Sequence, residues 1–158
     1  MKWNESFGIG IEEIDSQHQV LISLLNQVWE GIVRRIDSTQ TLKLLDELER
    51  YTVTHFTAEE LYMWEINFPD FNEHTRMHRQ FVARIATEKQ AVISGGYLSL
   101  GFVHFLRDWL INHILVQDKA YADYAKLASS ADVEGVSQEA DETVREDSLL
   151  KRIFKRFR

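Results

Sequence analysis

The sequence predicts an all-α protein: an antiparallel up-down-up-down four-helix bundle with an N-terminal arm and a C-terminal extension. Apolar residues recur at three- and four-residue steps in four long stretches, which is the periodicity of an amphipathic helix. With 7 glycines and 1 proline among its 158 residues, the chain has long stretches that are free to be helical. Short connections favour antiparallel neighbours, and the alternating polar and apolar stretches are too short to predict strands.

The first dozen residues combine aromatic side chains with Gly8 and Gly10, and we expect an irregular arm that its aromatic residues hold in place. Asp15 and Ser16 are N-cap candidates for the first helix, because their side-chain oxygens can accept backbone N–H groups. This helix should end near Arg35. Its predicted inner face consists of Val20, Leu21, Leu24, Leu25, Val28 and Ile32.

The second helix is predicted over about residues 42–67, after a short polar break at residues 37–40. It ends at the segment Phe68-Pro69-Asp70, because proline disfavours helix at the residue before it. Its predicted inner face consists of Leu44, Leu45, Leu48, Tyr51, Thr52, Phe56 and Met63.

The third and fourth helices are predicted over about residues 72–94 and 98–126, with Gly95-Gly96 as the break between them. Inner positions in the third helix are Met77, Phe81, Ile85 and Val92. Those in the fourth are Phe102, Phe105, Leu106, Trp109, Val116 and Tyr124.

The composition changes after residue 128, so we divide the chain into a helical domain at residues 1–128, an acidic flexible linker at 129–148 and a basic amphipathic tail at 149–158. We expect the tail to contact an anionic membrane surface or a protein partner; the alternative is a disordered tail with incidental apolar residues. Its apolar face would be Leu149, Leu150, Ile153, Phe154 and Phe157, and the basic residues beside it are Lys151, Arg152, Lys155, Arg156 and Arg158.

Composition excludes several classes of function. Without cysteine, the chain cannot form disulfides, iron–sulfur clusters or thiolate sites, so any metal must be held by histidine, carboxylate or carbonyl groups. A net charge of −7 disfavours nucleic acid as a partner, because phosphates repel an acidic body. No apolar run is long enough to cross a bilayer, and the first residues lack the apolar segment of a signal peptide. We therefore expect a cytoplasmic protein, associated with a membrane only through its tail.

The histidines carry the strongest chemical signal. His74 and His78 are four residues apart, so both rings lie on one helix face and can bind one metal. The pair His55 and Glu59 repeats this spacing on the second helix, while His113 lies on the fourth. Asp118 lies five positions after His113, and His18 lies near the start of the first helix.

Each of these features alone has an ordinary structural explanation: a surface or core histidine, or a contact that stabilises a helix. Their occurrence on four helices at compatible heights favours a shared metal centre. His104 has no comparable partner, and we interpret it as structural or exposed.

Four segments resemble the motifs of the bacterial hemerythrin family: Trp3 to Leu21, His55 to Met63, His74 to Phe81 and Trp109 to Asp118. The resemblance extends from Trp3 to Tyr124, and all seven of the family's ligand positions hold the expected residue type. It implies two iron ions (Fe2+/Fe3+) with a bridging oxo or hydroxo group. In this assignment one iron is bound by His74, His78 and His113, the other by His18 and His55, and the bridging carboxylates are Glu59 and Asp118.

The resemblance also implies dioxygen as the ligand. Oxygen would bind reversibly at a vacant position on the iron held by His18 and His55, inside a dry pocket that prevents autoxidation. The predicted pocket consists of Leu21, Phe56, Phe81, Trp109, Leu110 and Ile114, which could equally be ordinary core residues.

Three functions remain open at this point. The first is oxygen carriage, storage or sensing by a protein that is not an enzyme. The second is an oxygen-consuming di-iron oxidase, with activity that could be weak, or an iron-handling protein. The third is a signalling module that reports oxygen or nitric oxide through the C-terminal tail. A histidine-rich ligand set differs from the carboxylate-rich sites of ferritin-like enzymes, and seven ligands exceed what tetrahedral zinc needs. Because four helices already close one core, we expect a monomer.

Overall fold

The computed structural model describes the backbone of residues 1–135 and the side chains of residues 1–129. A short 3-10 turn at Glu5–Phe7 precedes α1 (Glu12–Arg34), α2 (Ser38–Glu65) and α3 (Phe71–Ile93). The last helix of the bundle is continuous and has three parts, which are α4 (Leu100–Asn112), a π-helical segment (His113–Asp118) and α5 (Lys119–Gly135). The predicted all-α four-helix bundle is confirmed.

Local sequence signals set where the helices start and stop. The Asp37 carboxylate accepts the N–H of Gln40 at 2.8 Å and begins α2, so residues 38–40 form its first turn and the predicted polar break is shorter than expected. The Ser99 hydroxyl accepts the N–H of Phe102 at 3.1 Å and begins α4 in the same way. Gly95 has a φ of 89°, a conformation that glycine adopts without strain, and this accounts for the predicted break after α3.

The N-cap prediction for α1 was wrong. The helix begins at Glu12, three residues before Asp15. The Asp15 carboxylate instead accepts the N–H groups of Ile9 at 2.9 Å and Gly10 at 3.1 Å. It thus ties the N-terminal arm to α1, where Ile9 is buried. This contact depends on how the arm folds back on α1, and the residue preferences at helix starts do not predict that.

Two residues predicted to face inward are substantially exposed. Val20 is 40% exposed and Val116 is 53% exposed. Val20 lies at the edge of the apolar face of α1. Val116 lies in the π-helical segment, where the extra residue per turn shifts every side chain relative to the α-helical register that predicted its burial.

The C-terminal boundary also differs from the prediction, because α5 continues to Gly135 and so includes the first residues of the predicted linker. The remainder of the linker and the whole tail at 149–158 lie outside the described residues. None of the helices over residues 1–135 has the length and hydropathy that crossing a bilayer would require.

Candidate metal centre

The structure brings all seven predicted ligand side chains into one layer of the bundle. α1 contributes His18, α2 contributes His55 and Glu59, and α3 contributes the pair His74 and His78. The π-helical segment contributes the last two residues, His113 and Asp118. Each of the seven is at most 2% exposed.

The π-helical segment explains the five-residue spacing on the fourth helix. In a regular α-helix, residues five apart differ in direction by about 140° and could not share a centre. Between His113 and Asp118 the wider turn brings both side chains inward, and His113 Nε2 lies 3.1 Å from Asp118 Oδ1. Single π-helical turns of this kind are common at functional sites.

Glu59 lies among four histidines from all four helices of the bundle. The nearest of these histidine nitrogens are His78 Nε2 at 3.1 Å and His55 Nε2 at 3.5 Å. The distances to His113 Nε2 and His18 Nε2 are 3.7 and 3.8 Å. A carboxylate has two oxygens with which it can contact two cations at once, and this position suits such a role.

Asp118 is the second carboxylate of the layer. Its Oδ2 lies 3.2 Å from His18 Nε2, and its Oδ1 lies 3.3 Å from His74 Nε2. Ligand atoms of His18, His55 and Glu59 lie within 4.8 Å of one another, as do those of Glu59, His74, His78 and His113. These are two groups that could each hold a metal ion, and they share Glu59.

Buried polar atoms without hydrogen-bond partners indicate what the centre can bind. Within the described part of the chain, buried atoms without a hydrogen-bond partner include His18 Nε2, His55 Nε2, His74 Nε2, Glu59 Oε2 and both oxygens of Asp118. Burying such atoms unpaired costs about 1–3 kcal/mol each. Their convergence on one layer fits a site that binds cations, because a metal ion would satisfy them together.

The two nitrogens His78 Nε2 and His113 Nε2 lie 3.0 Å apart. The His78 ring is already oriented, since its Nδ1–H donates to Glu60 at 2.9 Å, and the neutral ring therefore presents a bare lone pair at Nε2. Either His113 Nε2 carries a proton and donates it to this lone pair, or a metal ion binds both nitrogens. Imidazole nitrogens and carboxylate oxygens without thiolates are a donor set that suits iron.

The pKa shifts of the metal-free site also favour positive charge at the centre. Burial lowers the pKa of His18, but the adjacent carboxylates of Asp118 and Glu59 outweigh it and raise the pKa to about 9. The pKa of His78 is also raised to about 9, because Glu59 and Glu60 outweigh its burial. Burial dominates at His55 and lowers its pKa to about 3. Despite burial, the surrounding histidines hold the pKa of Glu59 well below its usual range.

Three residues that the sequence prediction missed hold the ligand side chains in place. Gln17 Oε1 accepts the Nδ1–H of His55 at 2.8 Å, which leaves the Nε2 of that ring facing the centre. Glu60 does the same for His78. Tyr121 donates its hydroxyl hydrogen to Glu59 Oε1 at 2.9 Å. Gln17 and Glu60 are each adjacent in sequence to a predicted ligand, whereas Tyr121 is reached only through the fold.

Aromatic rings cover two of the histidines of the centre. Phe56 stacks on His78 with ring centroids 3.7 Å apart, and Trp109 stacks on His113 at 4.1 Å. Beside them lies a narrow cavity with room for about one water-sized molecule. Five of the six predicted pocket residues line it, whereas Ile114 is buried but is not among the lining residues; the lining consists of Leu21, Leu25, Leu48, Thr52, Phe56, Phe81, Leu106, Trp109 and Leu110.

His104 lies away from the centre. It is exposed and stacks on Trp29 with ring centroids 6.4 Å apart, in agreement with its interpretation as a structural or exposed residue.

Comparison with known proteins shows the family of the chain. Residues 9–125 match the model of the hemerythrin HHE cation binding domain. A bacteriohemerythrin of Stenotrophomonas maltophilia is 34% identical over 124 residues, which are 78% of this chain and 80% of that protein. A bacteriohemerythrin of Pseudomonas aeruginosa is 26% identical over 155 residues, 98% of this chain and 95% of the other. The crystal structure of a wild-type hemerythrin matches with a TM-score of 0.71 at 30% identity, covering 78% of this chain and 95% of that one. The chain belongs to the hemerythrin family.

Proposed function

We propose that this protein binds dioxygen reversibly at a non-haem di-iron centre and serves oxygen carriage, storage or sensing. The observation that supports this most strongly is the layer of seven buried side chains from four helices, whose unpaired atoms converge. In this proposal one iron is held by His74, His78 and His113, and the other by His18 and His55. Glu59 and Asp118 contact both groups of histidines and would bridge the two ions, together with an oxo or hydroxo group.

When bound, the iron pair supplies two electrons that can be shared reversibly with dioxygen. The side chains of this chain control that chemistry by position. Gln17 and Glu60 fix the rings of His55 and His78 through their Nδ1–H groups, and Tyr121 fixes one oxygen of Glu59. Removing such an outer contact typically lowers metal affinity or activity 10- to 100-fold.

Exclusion of water is the second contribution of the protein. Phe56 and Trp109 cover His78 and His113 by stacking, and the adjacent cavity is lined almost entirely by apolar side chains. A site with few mobile protons protects a reversible ligand from side reactions. The dry pocket and the five imidazoles favour binding over turnover, so we infer a binding protein rather than an oxidase.

We further propose that the protein is cytoplasmic. We also propose that it works as a monomer, since its apolar residues close one core between four helices. The basic tail at 149–158 is proposed as a contact for an anionic membrane or a protein partner. This contact would be the route by which a sensor of oxygen or nitric oxide reports its state.

An optical titration tests the function. Protein loaded with ferrous iron under anaerobic conditions is exposed to oxygen and then degassed. A charge-transfer band that appears with oxygen and disappears on degassing is the expected result. A permanent change to a ferric spectrum would instead indicate an oxidase or a redox sensor, and failure to take up iron would contradict the assignment of the centre.

A further inference from the structure

Thr52 is a polar residue inside the apolar cavity beside the centre. The side chain is 0% exposed, and its hydroxyl oxygen has no hydrogen-bond partner among the residues that the structure describes. The eight other lining residues are leucines and aromatic residues. A buried hydroxyl without a partner is costly, so its presence in this cavity calls for a ligand.

Other threonines in the bundle show what Thr52 does differently. Thr41, Thr54 and Thr57 on the same helix each donate their hydroxyl to the carbonyl four residues earlier, at 2.9, 3.0 and 2.8 Å. This local bond is the usual way in which a helical threonine satisfies its hydroxyl. Thr52 does not make it, although the Leu48 carbonyl is the corresponding acceptor. Its donor is therefore free for a molecule in the cavity.

The lining of the cavity lies close in sequence or space to ligands from both halves of the centre, since Phe56 and Trp109 also stack on His78 and His113. Thr52 lies three residues before His55, so both lie on one face of α2. Leu21, another lining residue, lies three residues after His18 on α1. A small ligand that is bound at the centre and reaches into this cavity would meet the hydroxyl of Thr52.

We propose that Thr52 determines ligand preference by donating a hydrogen bond to small ligands that carry an accepting or anionic end. This inference rests on the proposed di-iron function. It adds a selectivity: among small ligands the cavity favours those that can accept a hydrogen bond, because the hydroxyl of Thr52 is a donor without a partner in a lining of leucines and aromatic residues. Azide is a suitable probe, being a small linear anion that accepts hydrogen bonds.

The test compares Thr52→Val, which replaces the hydroxyl with a methyl group, and Thr52→Ser, which keeps the hydroxyl. Thr41→Val is the matched control, because Thr41 is also buried on α2 but bonds to the backbone. Azide affinity is measured for the iron-loaded ferric proteins. We expect T52V to bind azide about tenfold more weakly, while T52S and T41V bind as the wild type does. The antisymmetric stretch of bound azide should shift in T52V alone.

Equal azide affinity in T52V and the wild type would overturn the proposal. Failure of the wild type to take up iron would instead overturn the proposed function. Thermal unfolding of the metal-free proteins tests the premise separately, because no iron is involved. T52V should unfold at a higher temperature than the wild type, since it removes an unpaired buried hydroxyl; an unchanged or lower temperature would show that the hydroxyl already has a partner, and would overturn the proposal.

Discussion

Tyr121 donates a hydrogen bond of 2.9 Å to Glu59 across the bundle, and both side chains are completely buried. The hydroxyl orients the one carboxylate that the two groups of candidate ligands share. Burial and the nearby carboxylates raise the pKa of Tyr121 well above its usual value, so the hydroxyl keeps its proton and remains a donor. The geometry of the centre thus depends on a residue of α5 that lies 62 positions away in sequence.

Replacing Tyr121 with phenylalanine should remove this donor without changing the packing of the ring. We expect a destabilisation of about 1–3 kcal/mol, because Glu59 Oε1 becomes a buried acceptor without a partner. Urea unfolding of the metal-free protein measures it. Tyr124→Phe is the control, since the Tyr124 hydroxyl makes a longer contact of 3.4 Å with the carbonyl of Asn67. Equal stability of both variants would contradict the role of Tyr121.

Replacing Glu59 with glutamine should affect both metal ions, whereas replacing His74 with alanine should affect one. The reason is that Glu59 belongs to both groups of candidate ligands and His74 to only one. Iron retained after desalting, counted per chain, is the measurement. We expect two iron ions in the wild type, about one in H74A and less than one in E59Q.

Glu65→Gln is the control for the loss of charge, because Glu65 is an exposed carboxylate on the same helix. If E59Q retained as much iron as E65Q, the bridging role of Glu59 would be excluded.

Gln17 should matter for metal affinity although it contacts no metal in the proposed centre. A Gln17→Leu variant loses the acceptor that fixes His55 Nδ1–H, so the ring can rotate or change its tautomer. We expect a fall of about 10- to 100-fold in iron affinity, measured by competition with a chelator. Gln19→Leu, at an exposed position of α1, should bind iron as the wild type does; a similar loss in both variants would point to a general effect of the substitution.

The sequence predicted the helices because they follow from local spacing, and the same spacing indicated which candidate ligands share a helix face. His74 and His78 lie four residues apart and had to share a helix face. Glycine and proline marked most of the breaks correctly. The inward faces also agreed, apart from residues such as Val20 and Val116.

Features that depend on tertiary placement were not predictable in this way. The contact between Tyr121 and Glu59 joins distant segments. The Asp15 carboxylate accepts a hydrogen bond from the N-terminal arm and does not cap the start of α1. The π-helical turn had one sequence signal, the five-residue interval between His113 and Asp118, which does not fit a regular α-helix. Thr52 was predicted to be buried, but the lack of a partner for its hydroxyl became visible only with the cavity beside it.

Removing residues 149–158 should abolish binding to membranes and leave oxygen binding intact. We expect the truncated protein to keep its iron and its oxygen-dependent spectrum, because none of the candidate ligands lies in the tail. It should lose sedimentation with anionic vesicles, since each basic residue near such a surface contributes about 1 kcal/mol. Neutral vesicles are the control. Equal sedimentation of the truncated and full-length proteins would exclude the membrane role and leave the protein partner to be tested by pull-down.

The metal-free protein should become less stable as the pH rises from about 6.5 to 9. The pKa values of His18 and His78 are raised to about 9 in the fold, so the folded state holds protons that the unfolded chain has already released. Their contribution is complete below pH 6.5 and is lost as the pH passes through 9. We expect a loss of about a few kcal/mol across this window, measured by urea unfolding at each pH.

Iron loading should remove this pH dependence, because the ring nitrogens bound to iron no longer carry protons. The same series on the iron-loaded protein is therefore the control, and its stability should vary little between pH 6.5 and 9. A flat profile for the metal-free protein would mean that the carboxylates Glu59 and Asp118 do not hold protons on the two histidines. A fall of equal size in both forms would assign the effect to groups outside the centre.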